Sequence, residues 1–468
     1  MLGSVAAVVD RGWQHIGCGP AAWPAGTPLT ADPARLGGQR GGTWGHEARL
    51  GERTVDLSRR RMLAGLTGSA AASLFTGAQA AEVPQAVVRT ITHGPRHHWF
   101  AYYDKLQFDP GVRYCLGNAV DFEHRSPTAA DVIEVGMVDL ADGDRWIRLG
   151  QSRAWGWQQG CMLQWVPGTA SQVIYNDRDG DSYVARVHDV TSGHTQTLPK
   201  AVYALSPAGR FAVTTDFRRI NELRPGYGYA GLADPWTDQL APAEVGVQRV
   251  DLETGDVKML VSLADILDVP FPGGFGEGKH WFNHLLVSPD GGRTIFLHRW
   301  QRASGGWFTR MFTVGLDGSG LRELNPSAGM VSHFIWRDPS HILAWTKHPT
   351  LGNCFCVMED AADGDVVAIG REVMPADGHC TYLPGNAWIV NDTYPQGPER
   401  RQTVYLYEVA SGRRINLGSF ASPEPYRGEW RCDTHPRHSP DGRLLCIDSP
   451  HTGEGRQMHL LDISSIVG

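Results

Sequence analysis

Three pairs of side chains have the types and spacing to do chemistry together. Tyr203 and Arg219 lie 16 residues apart, on either side of a Ser206-Pro207-Ala208-Gly209 turn. A hairpin returns its second strand to the start of the first, so the phenol and the guanidinium are expected to share one rim. Tyrosine can exchange a proton once a nearby cation lowers its pKa. His284 and Arg299 are 15 residues apart across another such hairpin, and His98 and Asn118 are 20 apart across a longer one. All six side chains are expected to collect at one mouth of the fold.

A second set points to a metal. His284, His333, His379 and His435 each open a segment that runs into a Pro-containing turn, with Cys380 beside His379 and Cys432 three residues before His435. Imidazoles at equivalent positions of a closed repeat converge on its axis. His333, His379, Cys432 and His435 are the expected ligands of one divalent ion, with His284 on the substrate side. A tetrahedral N/S set suits Zn²⁺, and nitrogen and oxygen ligands suit Mn²⁺ or, further off, Ca²⁺.

The elements that must position these residues repeat along the chain. An apolar strand, a Pro/Gly turn and a return strand recur as Lys105–Gly111, Met162–Gly168, Val202–Gly209, His284–Gly291, His333–Pro339, His379–Gly385 and His435–Gly442. Further strand pairs lie between them, such as Val247–Gly255 and Tyr405–Gly412. Seven units of about four strands each predict an all-β, seven-bladed β-propeller over residues 92–468. The long gap between the third and fourth units holds an insertion near Asn221–Leu240, whose Arg224-Pro-Gly-Tyr-Gly-Tyr229 text reads as a long loop beside the Tyr203 hairpin.

Composition agrees. The 468 residues include 56 Gly, 29 Pro and 16 Trp, and the eight cysteines are too scattered for a disulfide scaffold. A net charge of −7 without a basic block argues against nucleic acid. No apolar run is long enough to span a membrane. Residues 1–57 show no periodicity that could build a core and are expected to be disordered or an over-extended start. Arg59, Arg60 and Arg61, the apolar stretch to Phe75 and the small residues at Ala78-Gln79-Ala80 are similar to a twin-arginine export signal over 58–81. A periplasmic or secreted location follows as an expectation.

The segment Pro95-Arg-His-His-Trp-Phe-Ala-Tyr-Tyr-Asp-Lys105, the return strand Arg113–Asn118 and the Tyr203/Arg219 pair together resemble the propeller-type ulvan lyases and the related rhamnosyl-glucuronate lyases. The histidines ahead of Ser-Pro-Asp-Gly turns also resemble oligogalacturonate lyase, a metal-holding seven-bladed propeller. The resemblance covers most of residues 92–445. It implies a polysaccharide lyase that cleaves a uronate-containing glycan by β-elimination, with Tyr203 exchanging the proton and His98 as base or partner. It also implies that Arg219, joined by Arg299, neutralises the uronate carboxylate. Asn118, where some members carry a second histidine, and His284 would contact substrate. The alternative is an exported propeller that binds a glycan or a protein without catalysis. A glycoside hydrolase would need a carboxylate pair flanking the bond, and Asp104, Asp216 and Glu123 form no such pair on the predicted rim.

Overall fold

The computed structural model describes residues 86–468, apart from 101 and 325–328. The proposed export signal and the segment ahead of it lie outside the described residues. Seven antiparallel sheets of four strands each form a seven-bladed β-propeller. Six blades are built from strands consecutive in sequence, from β2 (His97–Trp99) through β25 (Arg414–Ala421).

The seventh blade closes the ring. Its first three strands, β26 (Arg437–His438), β27 (Leu444–Ser449) and β28 (Gln457–Asp462), come from the C-terminus, and its outermost strand is β1 (Val87–Thr90). Val87 pairs with Asp462 and Thr90 with His459. The propeller therefore starts ahead of residue 92, because the first strand completes the last blade and covers an edge that would otherwise be open.

The middle strands of each blade are packed on both faces by neighbouring blades. In β15 (Arg293–Gln301) every residue from Thr294 to Trp300 is buried, so these strands read as continuous runs rather than as an alternation. The innermost strands are short or irregular, and that irregularity positions the chemistry. Helix is scarce among the described residues. Its longest stretch is α1 (Phe217–Leu223), in the third blade.

The return strand predicted to reach Arg219 stops earlier. Strand β11 (Phe211–Thr214) ends and Asp216 caps α1, its carboxylate accepting hydrogen bonds from the Arg218 and Arg219 amides. The insertion then folds back as a loop. A Cβ on Gly228 would stand 2.2 Å from the Asn221 nitrogen and 2.4 Å from the Phe217 carbonyl, so the loop lies directly against the helix backbone. The Tyr229 ring stacks on Phe217 at 4.2 Å.

Candidate functional site: a polar cluster in the propeller channel

The four histidines do converge. In β14 (His280–Val287) the pairing slips between Asn283 and Leu286, and His284 sits in that bulge with φ 50°. In β18 (Val331–Asp338) it slips between Val331 and Phe334, around His333. His435, just ahead of β26, has φ 39°. Bulges re-aim side chains, and a left-handed φ on a non-glycine residue costs roughly 1–3 kcal/mol unless its surroundings enforce it. The His333 and His379 rings lie 4.2 Å apart, as do those of His379 and His435.

The centre of the channel is filled from the first blade. Strand β2 pairs with β3 (Tyr114–Val120) only through Trp99, and pairing resumes at the Phe108–Cys115 bridge. The chain between bulges inward and carries Tyr102, Tyr103, Asp104 and Lys105. The Tyr102 ring stands edge-on to His284 (4.9 Å) and His435 (5.3 Å), and Tyr103 lies 5.6 Å from His284 and 5.8 Å from His333. Asp104 bonds Lys105 Nζ at 2.9 Å and shares a hydrogen bond with His284 Nε2 at 3.2 Å. Burial works to raise its pKa, but Lys105 and His284 outweigh that and hold it at about 2. Burial also pushes His284 down to about 4, against the pull of Asp104.

One group of side chains could hold a metal. A nitrogen of His379, a nitrogen of His435 and a carboxylate oxygen of Asp433 lie within 4.8 Å of one another, all buried. His379 Nε2, His435 Nε2 and Asp433 Oδ1 have no hydrogen-bond partner. Buried polar atoms are rarely left this way, so the residues fit a cation. On the far side of the His379 ring, Asp392 accepts from Nδ1 at 2.9 Å and holds the ring. This corrects the expected set in two places. Cys432, whose thiol is buried and has its pKa raised by that burial, is not among the converging atoms, and its neighbour Asp433 is. His333 stands beside His379 but bonds Asp377 at 2.9 Å and lies outside the group.

A cluster of phenols and guanidiniums adjoins the metal group. Arg431 donates from Nε to Asp433 at 2.6 Å and from Nη2 to the Tyr227 hydroxyl at 2.5 Å. The Arg224 guanidinium lies 4.1 Å from the Tyr227 ring. Burial works to raise the Tyr227 pKa, yet the charges of Arg224 and Arg431 pull it down to about 7. Arg299, 5 % exposed, has no partner at Nε or Nη1. Burial, followed by the Arg224 charge, lowers its pKa to about 9. Arg224 Nε is also unpartnered. A phenol with a lowered pKa thus stands near guanidinium nitrogens without a partner, Arg299 Nε and Nη1 and Arg224 Nε, which suits proton abstraction next to a bound carboxylate.

The sequence-predicted residues divide. Tyr203, His284 and Arg299 come together: the His284 amide donates to the Tyr203 hydroxyl at 3.0 Å, and Arg299 is close enough to act on its charge. Tyr203 nonetheless differs from expectation. Its hydroxyl accepts from Gln159 at 2.6 Å and reaches Asn283 at 3.3 Å, and burial raises its pKa, so it is a neutral phenol. Arg219 is not at the rim. Its buried guanidinium donates to Asp234 (2.9 Å) and to the carbonyls of Trp236 (3.2 Å), Gln239 (2.8 Å), Leu240 (2.7 Å) and His280 (2.5 Å), tying the insertion to blade four.

His98 packs edge-on to Trp146 at 5.0 Å and bonds Gln457 at 2.9 Å, between the first and last blades. Asn118 donates to the Trp99 and Phe100 carbonyls and accepts from the Cys161 thiol. Both have structural partners away from the arginine cluster. Tyr102, Tyr227, Arg224, Arg431 and Asp433 were the residues missed. Tyr227 and Arg224 carried a signal, an aromatic and a cation inside the one long insertion. Asp433 carried another, an acid two residues before a register histidine.

The fold and the cluster together define a seven-bladed β-propeller with a buried, chemically built channel site. No family model and no curated protein matches the chain. Solved structures similar in fold include an oligogalacturonate lyase from Vibrio parahaemolyticus, 14% identical with a TM-score of 0.56, covering 80% of this chain and 93% of that one. Oligogalacturonate lyase in complex with manganese is similar to the same degree (14%, TM-score 0.56), covering 81% and 93%. TolB from Acinetobacter baumannii, also a match, has a TM-score of 0.35 and 12% identity, covering 63% of this chain and 61% of its own.

Proposed function

We propose that the protein is a polysaccharide lyase that cleaves a uronate-containing glycan by β-elimination. The observation that carries this reading is Arg299: a buried guanidinium with two unpartnered N–H groups, in the same cluster as a phenol whose pKa neighbouring arginines depress. The C5 proton of a uronate is a weak acid because the adjacent carboxylate is already negative. Arg299 and Arg224 would bind that carboxylate and offset the charge that grows on it as the proton leaves. Tyr227, as phenolate, takes the proton. The C5 electron pair forms the C4–C5 double bond, the C4–O4 bond breaks, and the new Tyr227 phenol returns a proton to the departing O4.

His379, Asp433 and His435 would hold a divalent cation, which supplies Lewis-acid charge neutralisation when bound. Two imidazoles and one carboxylate suit Zn²⁺, the expected ion, and also admit Mn²⁺. Arg431 joins this group to the base, touching Asp433 with one nitrogen and Tyr227 with another.

Incubation with a panel of uronate glycans, followed by ultraviolet absorbance of the unsaturated uronate, tests the reading. Binding without any unsaturated product would place the protein among non-catalytic glycan binders instead.

A further inference from the structure

We propose that Trp307 is the platform on which a sugar ring of the substrate stacks, next to the Arg224–Arg299 carboxylate receptor. The inference rests on the uronate reading of that receptor. Among the described tryptophans Trp307 alone is exposed, at 39 %. It opens strand β16 (Trp307–Gly315), paired with Gln301 at the end of the hairpin that carries Arg299. An exposed indole on a hairpin end normally has little to hold it. This one is held edge-on against buried Trp281 at 6.2 Å.

Its neighbours give the platform a meaning. The Arg224 guanidinium lies 4.6 Å from the Trp307 ring centre while also lying over Tyr227, and Arg299 lies 5.8 Å from the same ring. Guanidinium and carboxylate groups meet at about 2.7–2.9 Å. A uronate held by the unpartnered Arg299 and Arg224 nitrogens therefore brings its own ring, or the next one in the chain, to the indole. Pyranose rings present C–H faces that pack on an aromatic π-face, and the stacked area adds affinity without fixing which hydroxyl pattern is read. Trp307 thus acts on substrate affinity, while Tyr227 and Arg299 act on the reaction.

A competing role is that Trp307 merely positions Arg224. The two roles separate in KM and kcat. The test is titration calorimetry with a uronate-containing tetrasaccharide on a Tyr227→Phe background, with and without Trp307→Ala and Trp307→Phe, beside turnover kinetics of the single Trp307 variants. Stacking predicts that Trp307→Ala weakens binding about tenfold to a hundredfold, that Trp307→Phe recovers most of the loss, and that KM rises while kcat is kept. Equal binding by Trp307→Ala overturns the proposal, and so does a fall in kcat at unchanged KM. Tryptophan-dependent binding by a protein that yields no unsaturated product would keep the platform and discard the elimination. Product formation unaffected by Trp307→Ala would do the reverse, and absence of any binding would remove both.

Discussion

Replacing Arg299 by methionine should stabilise the protein and disable it. In the protein alone the Arg299 pKa falls from 12.5 to about 9 because the guanidinium is buried, with the Arg224 charge beside it and no carboxylate bonded to it. At about 1.4 kcal/mol per unit, keeping it charged costs on the order of 5 kcal/mol. That figure is a ceiling on what a well-packed apolar replacement can recover, and charged-to-apolar exchanges of this kind recover about 1–4 kcal/mol. With roughly 2.1 cal/mol/K of unfolding entropy per residue over the propeller, the gain corresponds to a Tm rise of about 1–5 °C. On the proposed mechanism the same change removes the group facing the carboxylate charge, and kcat/KM should fall about 10²–10³-fold. Calorimetric melts and initial rates on one preparation give both numbers. A lower Tm together with normal turnover would refute the reasoning, because it would mean that Arg299 has a structural partner and faces no substrate.

Other outcomes follow from the same geometry. If Tyr227 acts as phenolate, activity rises with pH through its depressed pKa, and Arg431→Gln, by removing one of the two charges that depress it, should move the acid limb to higher pH; an unmoved limb would exclude Tyr227 as the base. Arg219→Ala should destabilise by about 3–5 kcal/mol in denaturant unfolding, because it leaves Asp234 buried without its cation and frees the insertion. His379→Ala or His435→Ala should abolish stoichiometric metal in protein purified from cells, whereas Cys432→Ala should leave it unchanged by elemental analysis. His98, His280 and His459 are buried away from that group with pKa values lowered to about 4, chiefly by burial. The unfolded chain binds more protons than the folded one between about 4 and 6.5, so thermal stability should fall as pH drops through that window, and carboxylates held low in the fold, such as Asp104 at about 2, should continue the fall below it.

The architecture was legible because a propeller repeats. Turn signals recurring along the chain fixed the blades, and the histidine register survived into three dimensions because His284 and His333 sit in bulges of innermost strands and His379 and His435 stand just ahead of theirs. What the repeat cannot show is where it is broken. Tyr102 and Asp104 enter the channel through an interruption of the first blade's inner strand, which no periodicity announces. Arg219 followed the hairpin logic only until Asp216 capped a helix, a one-residue signal outweighed by the β-rich text before it. Tyr227 owes its character to Arg224, three residues before it, and to Arg431, some two hundred residues away in sequence and in hydrogen-bond contact in the fold. The share of that shift set by Arg431 is not written in local sequence.

The most direct test of the central claim compares wild type and Tyr227→Phe on uronate-containing glycans, following the ultraviolet absorbance of the C4–C5 double bond. The account predicts an absorbing product from wild type and a rate lower by about 10²–10⁴-fold, the usual weight of a general acid–base, from the variant. Cleavage that produces reducing ends without absorbance, or an undiminished rate in Tyr227→Phe, would contradict it.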